Sequence, residues 1–183
     1  MPNVFGEDLR SIAQMTDAFR RHGDAMRVTY RARYVFDGRA EDPYAGATLE
    51  RPAALIGNPP GVVYPWEQIF LSAASCAGSD YPMLASHFGA PLDRIELVVE
   101  GEFDPRGEFD GLADFRAPAD AAPVYLSLRL RATLTSSAPR AILERIHRHV
   151  VDRNMVLGAL RGIPRTDELR VEEPAAATRA KVA

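Results

Sequence analysis

The chain has 183 residues, 46% of them apolar, a single cysteine and a formal net charge of −3. That length suits one ordinary core, and acids and bases mixed along the chain leave no continuous positive surface for nucleic acid or anionic lipid. One cysteine excludes a disulfide within the chain, no cysteine or histidine cluster has zinc spacing, and an acidic opening (MPNVFGEDLR) without any apolar stretch of spanning length predicts a cytoplasmic protein.

From Glu7 to Arg21, Leu9, Ile12, Ala13 and Phe19 recur at helical intervals, and Gly23 supplies a stop. Arg27 to Asp37 switches to a period of two, with Val28, Tyr30, Ala32, Tyr34 and Phe36 on one side and Arg27, Thr29, Arg31 and Arg33 on the other, the pattern of a half-buried strand. DGRAEDPYAG is a turn-rich connection, Ala47 to Ile56 a second expected strand, and GNPPG a loop of chain breakers.

The longest helical candidate runs from Pro65 to Gly89 (PWEQIFLSAASCAGSDYPMLASHFG). Pro65 can open it, and Glu67 suits the positive first turn. Pro82 removes the bond to the carbonyl of Gly78, which predicts a kink or two abutting helices. Ser72 to Ser79 holds only Ser, Ala, Cys and Gly, residues that let other backbone approach closely.

Arg94 to Phe103 and Val124 to Thr135 alternate clearly and predict two further strands. Between them DPRGEFDGLADFRAPADAAP predicts a long exposed loop. Ser137 can cap a helix from Ala138 to about Arg153, with Ile142, Leu143, Ile146 and Val150 on one face; a short strand near Leu169 and Val171 and a disordered tail, PAAATRAKVA, complete the chain. The order predicts an α+β fold of antiparallel strands around a long central helix, without the alternation of a parallel sheet. The expected division is a helical extension over 1–26, one domain over 27–173 and a tail over 174–183.

No phosphate loop, dinucleotide fingerprint, GxSxG elbow or HExxH is present, and no cofactor or metal is expected. His147 and His149 stand two apart on a helix, where side chains diverge, and are expected on a solvated face. Cys76 carries the strongest claim to chemistry, beside the plainer reading of a free cysteine as small apolar filler. A reactive thiol needs help to ionise. The helix dipole gives little about three turns from Pro65, and Asp80, one turn on, would oppose a thiolate by like charge, so the help must come from a cation elsewhere in the fold.

The run PWEQIFLSAASC resembles the P-x-E-x-hydrophobic-hydrophobic-A-A-x-x-C signature of the OsmC and organic hydroperoxide resistance superfamily, and DRIELVVEGEFD resembles its usual continuation. The likeness extends from about Arg27 to Glu172. It implies an intertwined homodimer, with the reactive cysteine on a central helix near the subunit interface. Active members reduce hydroperoxides, so Cys76 would form a sulfenic acid that another thiol returns to the thiol. The family pattern also implies a glutamate at the helix start, here Glu67, and an arginine from the first hairpin region, for which Arg39 in DGR is the best match, with Arg31, Arg33 and Arg51 near it in sequence. An arginine held by a carboxylate is a permanent cation able to stabilise a thiolate.

Two departures bear on this. Active hydroperoxide reductases of the type carry a second cysteine after the last long helix, where this chain has Asn154. Glu67 precedes Cys76 by nine residues, the spacing of the broader OsmC-like branch, which on a straight helix puts the two on opposite faces. The resemblance therefore implies either a one-cysteine peroxidase served by an external thiol reductant, with a hydroperoxide as substrate, or a non-catalytic dimer that binds a small apolar or thiol-bearing ligand in the interface cleft.

Overall fold

The structure, a computed structural model, describes residues 3–4, 7–8, 11–38, 46–51, 63, 65–121 and 125–175. Arg39, the second half of the second expected strand (52–56), the GNPPG loop and the end of the expected tail lie outside the described residues. So does most of the DGRAEDPYAG connection.

Two short strands, β1 (Asn3–Val4) and β2 (Glu7–Asp8), pair antiparallel. The helix expected from Glu7 begins later, as α1 (Ile12–His22), because the Ser11 hydroxyl accepts the N–H of Gln14 and fixes the N-terminus there. Gly23 ends it at φ 53°, a left-handed position that favours glycine.

β3 (Val28–Phe36) buries Val28, Tyr30, Ala32 and Tyr34 as the alternation requires. It pairs antiparallel with β4 (Thr48–Glu50) and with β5 (Arg94–Phe103), and β5 pairs antiparallel with β6 (Tyr125–Thr135). The last strand, β7 (Arg165–Glu172), runs parallel to β6, a departure from the all-antiparallel expectation. Helix α3 (Arg140–Arg153), helix α4 (Met155–Ala159) and the turn after them return the chain to the same end of the sheet, so β7 starts alongside Leu128 rather than Thr135. The sheet order is β4-β3-β5-β6-β7. A β-bulge opposite Phe103 shifts the phase of β6, so Tyr125 faces the core and Leu126 is only half-buried.

Helix α2 (Pro65–His87) lies on the inner face of this sheet and buries Phe70, Ala73, Ala74, Ala77, Tyr81 and Ala85. It runs as one helix through Pro82, not as two abutting pieces. The small residues have the predicted use. A Cβ on Gly78 would overlap the Tyr34 ring, and one on Gly101 of β5 would overlap the Phe70 ring, so helix and sheet approach to backbone distance at both points. The start of α2 is pinned by the Trp66 indole N–H, which donates to the Tyr30 hydroxyl at 3.1 Å, and by the Tyr125 hydroxyl, which donates to the Trp66 carbonyl at 2.6 Å. Burial pushes the Tyr125 phenol up to about 12, which keeps it a donor.

The opposite sheet face is charged. Arg31 and Arg131 converge on Glu100, and Arg33 and Arg94 on Glu96. The connection after β5 departs from an exposed loop: Arg106 is buried against Asp104, and Phe115 packs with Phe19 and Met26 in a second, smaller core. That cluster ties α1 to the loop, with Phe19 5.3 Å from Phe109 and 5.5 Å from Phe115. Ser137 is not the cap of α3. Its N-cap is Pro139, while the Ser136 hydroxyl accepts the N–H of Ala138.

Candidate functional site at Cys76

Cys76 sits in the middle of α2, partly exposed, at the edge of the face formed by Ala73, Ala77 and Gly78. One turn on, Asp80 is also partly exposed. The group that meets both comes from Asn154, the residue where α3 stops and α4 starts. Its extended backbone (φ −58°, ψ 134°) breaks the helical path, and its side-chain oxygen accepts the N–H of Leu157 at 3.0 Å as the N-cap of α4. With the oxygen so committed, the amide nitrogen must face α2. It donates to Cys76 Sγ at 3.2 Å and to Asp80 Oδ2 at 2.8 Å. Asn154 is 4% exposed, so this cap-locked amide is a fixed part of the sulfur's surroundings.

Among the described residues no arginine hydrogen-bonds the sulfur; the donor there is an amide. Arg39, expected as the cation, lies outside the described residues. Glu67 is fully buried in the first turn of α2 and is held by Arg51, whose Nε and Nη2 donate to its two carboxylate oxygens at 2.7 and 2.9 Å. Such two-point pairing holds a guanidinium in a set plane. Nine residues of helix put Glu67 roughly 13 Å along the axis from Cys76, so the structure brings Arg51 to Glu67 and Asn154 to Cys76 at two separate stations.

His147 corrects the expectation of a solvated face: it is 7% exposed, and its Nδ1 lies 2.7 Å from the hydroxyl of fully buried Tyr81. Burial raises the Tyr81 phenol far above its ordinary value and lowers the His147 imidazole, with Asp167, 3.6 Å from Nε2, pulling the imidazole the other way. A protonated phenol and a neutral ring with its proton on Nε2 satisfy all three groups, so the array links α2, α3 and β7. The signal was in the periodicity, since residue 147 falls between Leu143 and Val150 on the buried stripe. His149 is exposed, as expected.

Residues 62–168, more than half of the chain, match the family model described as OsmC-like protein. The chain belongs to the OsmC-like family. No curated protein matches the sequence of this OsmC-like chain. Similar solved structures include an OsmC-like protein from Mycoplasma pneumoniae, at 12% identity over 78% of this chain and 96% of that one, with a TM-score of 0.48. An OsmC-like hydroperoxide resistance protein from Jannaschia sp. CCS1 gives 11% identity over 74% and 87%, with a TM-score of 0.49. A hypothetical protein from Aquifex aeolicus VF5 gives 14% over 71% and 83%, with a TM-score of 0.47. The family match covers α2 with Glu67 and Cys76, and extends through Asn154 into β7. Among the described residues of this OsmC-like chain, no helix is long and apolar enough to cross a membrane.

Proposed function

We propose that the chain is a thiol-dependent hydroperoxide reductase that uses Cys76 as its single reactive cysteine and an external thiol as reductant. The observation that carries this reading is the amide N–H of Asn154 aimed at a partly exposed Sγ, a donor placed where a thiolate would accept it. In the first step the Cys76 thiolate attacks the peroxide oxygen. An S–O bond forms, the O–O bond breaks, sulfur gives up two electrons, and the alcohol leaves after taking a proton. The sulfenic acid then condenses with one external thiol to a mixed disulfide and water. A second thiol releases the external disulfide and restores Cys76.

In this reading the cation that serves the thiolate is Arg39, with Glu67 as the carboxylate that organises arginines at the start of α2. A homodimer closes the cleft over Cys76. Support comes from two exposed apolar side chains near the site along the chain, Met83, two turns along α2 from Cys76 and 47% exposed, and Met155, next to Asn154 and 80% exposed, which a partner subunit would cover. Consumption of cumene hydroperoxide with a dithiol, followed for the wild type and Cys76→Ser, is the test: turnover by the wild type alone is expected, and equal rates would remove the reading.

One observation favours a second reading, a non-catalytic dimer that binds a small apolar or thiol-bearing ligand in the same cleft: Asn154 stands where active relatives are expected to carry a second cysteine. Mass spectrometry separates the two. A dimedone adduct on Cys76 after peroxide exposure belongs to the first reading; an unmodified sulfur and a ligand that survives native purification belong to the second.

A further inference from the structure

Most arginines on the sheet of this protein are neutralised. Arg31, Arg33, Arg94 and Arg131 each sit against Glu96 or Glu100. Helix α3 is different. Arg145, Arg148 and Arg153 are exposed and make no ion pair among the described residues. They are also not scattered. Positions 145, 148, 149 and 152 recur at the three- and four-residue spacing of a single helix face, which turns Arg145, Arg148, His149 and Asp152 toward the C-terminal end of α2.

There the facing residues are Leu84, His87 and Phe88, and the two helices enclose a cleft of about 430 Å³, with Arg153 at its end. That volume suits a small organic molecule. One wall is apolar, from Leu84 and Phe88. The Arg145 guanidinium lies over the Phe88 ring, 4.6 Å from its centroid, which fixes its plane while the in-plane N–H groups stay available. Three guanidinium groups against the carboxylate of Asp152 leave a formal excess of two positive charges. Leaving like charges so close together without partners is unfavourable, and an anion relieves it.

We propose that this cleft binds a small organic phosphate monoester, its dianionic head on Arg145, Arg148 and Arg153 and its apolar body against Leu84 and Phe88. Guanidinium forks match phosphate oxygens in pairs, and the two uncompensated charges match a dianion. Most of the cleft is displaced from the sulfur: Leu84 lies eight residues, roughly 12 Å of helix, beyond Cys76, and only its Arg153 end adjoins Asn154, whose amide meets Sγ. The proposal is therefore independent of the peroxidase reading.

Calorimetric titration of the full chain at low ionic strength with phenyl phosphate, inorganic phosphate and phenol tests it. Phenyl phosphate should bind the wild type and Cys76→Ser equally, inorganic phosphate more weakly, and phenol not at all. Arg148→Gln alone and the double variant Arg145→Gln/Arg148→Gln should weaken phenyl phosphate binding, the latter at least about tenfold, while both variants still unfold cooperatively because both side chains are exposed. Arg129→Gln, which removes an exposed arginine from the sheet, should leave the affinity alone. Equal affinity in the double variant, an equal loss in Arg129→Gln, or inorganic phosphate binding as tightly as phenyl phosphate would overturn the assignment.

Discussion

The side-chain amide of Asn154 points its nitrogen at the sulfur of Cys76, 3.2 Å away, because its oxygen is already committed to the N–H of Leu157 at 3.0 Å. One residue thus caps a helix and supplies the hydrogen-bond donor at the cysteine, and the two roles can be separated by substitution.

Asn154→Ser keeps an oxygen able to cap α4 but is too short to reach Sγ, whereas Asn154→Ala loses both. The alanine variant should be less stable than the serine variant by about 1 kcal/mol, the usual worth of an N-cap. Both should slow alkylation of Cys76 by iodoacetamide, by up to roughly tenfold for one lost hydrogen bond. Urea unfolding measures the first effect and alkylation kinetics the second. Equal alkylation rates in wild type and both variants would show that the amide does nothing for the sulfur.

Asn154→Cys puts a thiol at the position from which the amide now reaches Sγ, and this is where active relatives are expected to carry their second cysteine. After one equivalent of peroxide the variant should form a disulfide between Cys76 and the introduced thiol, seen by mass spectrometry without reductant as the loss of two hydrogens, while the wild type should stop at the sulfenic acid. A variant that accumulates only sulfenic acid would place the two side chains too far apart for resolution.

His147 makes the fold sensitive to mild acid. Burial lowers its folded-state value below the ordinary 6.5, so the unfolded chain takes up the proton more readily than the native one. The stability that comes from this site is complete above about pH 6.5 and declines as the pH falls toward the lowered folded value. His147→Asn keeps a polar atom near Nδ1 for Tyr81 and removes the titration. Between about pH 7 and pH 5 the melting temperature of the wild type should fall more steeply than that of the variant; parallel curves would mean that His147 is not protonated on unfolding.

Gly78→Ala sets two effects against each other. Alanine gains about 1 kcal/mol over glycine in a helix interior, but its methyl would occupy the space of the Tyr34 ring, which is fully buried and cannot move aside. Overpacking of that kind costs about 1–3 kcal/mol, so net destabilisation is expected. Gly158→Ala in α4, whose added methyl meets Arg161 Nη2 at an ordinary 3.7 Å, should be neutral or stabilising. Denaturant midpoints of the two variants should therefore move in opposite directions or differ by at least the packing cost.

Period-two alternation located β3, β5 and β6 because half-buried strands must put every second residue into the core, and each came within a residue or two of its expected limits. The bulge that turns Tyr125 inward left no such mark, since it depends on pairing with Phe103 far along the chain. His147 is a different case: its place on the stripe between Leu143 and Val150 marks it for burial, but its polar type does not say what meets its ring nitrogens, which Tyr81 and Asp167 on other elements decide. The loop after β5 was expected to be exposed from its Pro, Gly and Asp content, yet Phe19 of α1 gives Phe115 something to pack on, and Asp104 neutralises a buried Arg106.

The sequence by itself determined the α+β class, the long small-residue helix and the singling out of Cys76, because these follow from periodicity, side-chain size and the count of one thiol. The family resemblance added that Asn154 stands in place of a second cysteine. Only the tertiary structure decided what that asparagine does, that Glu67 is gripped by Arg51 about 13 Å of helix away from the sulfur, and that three arginines of α3 gather at the cleft beside Phe88. Each of these depends on which surfaces meet when helices pack on a sheet, and contacts between residues dozens of positions apart are set by that packing rather than by any local pattern.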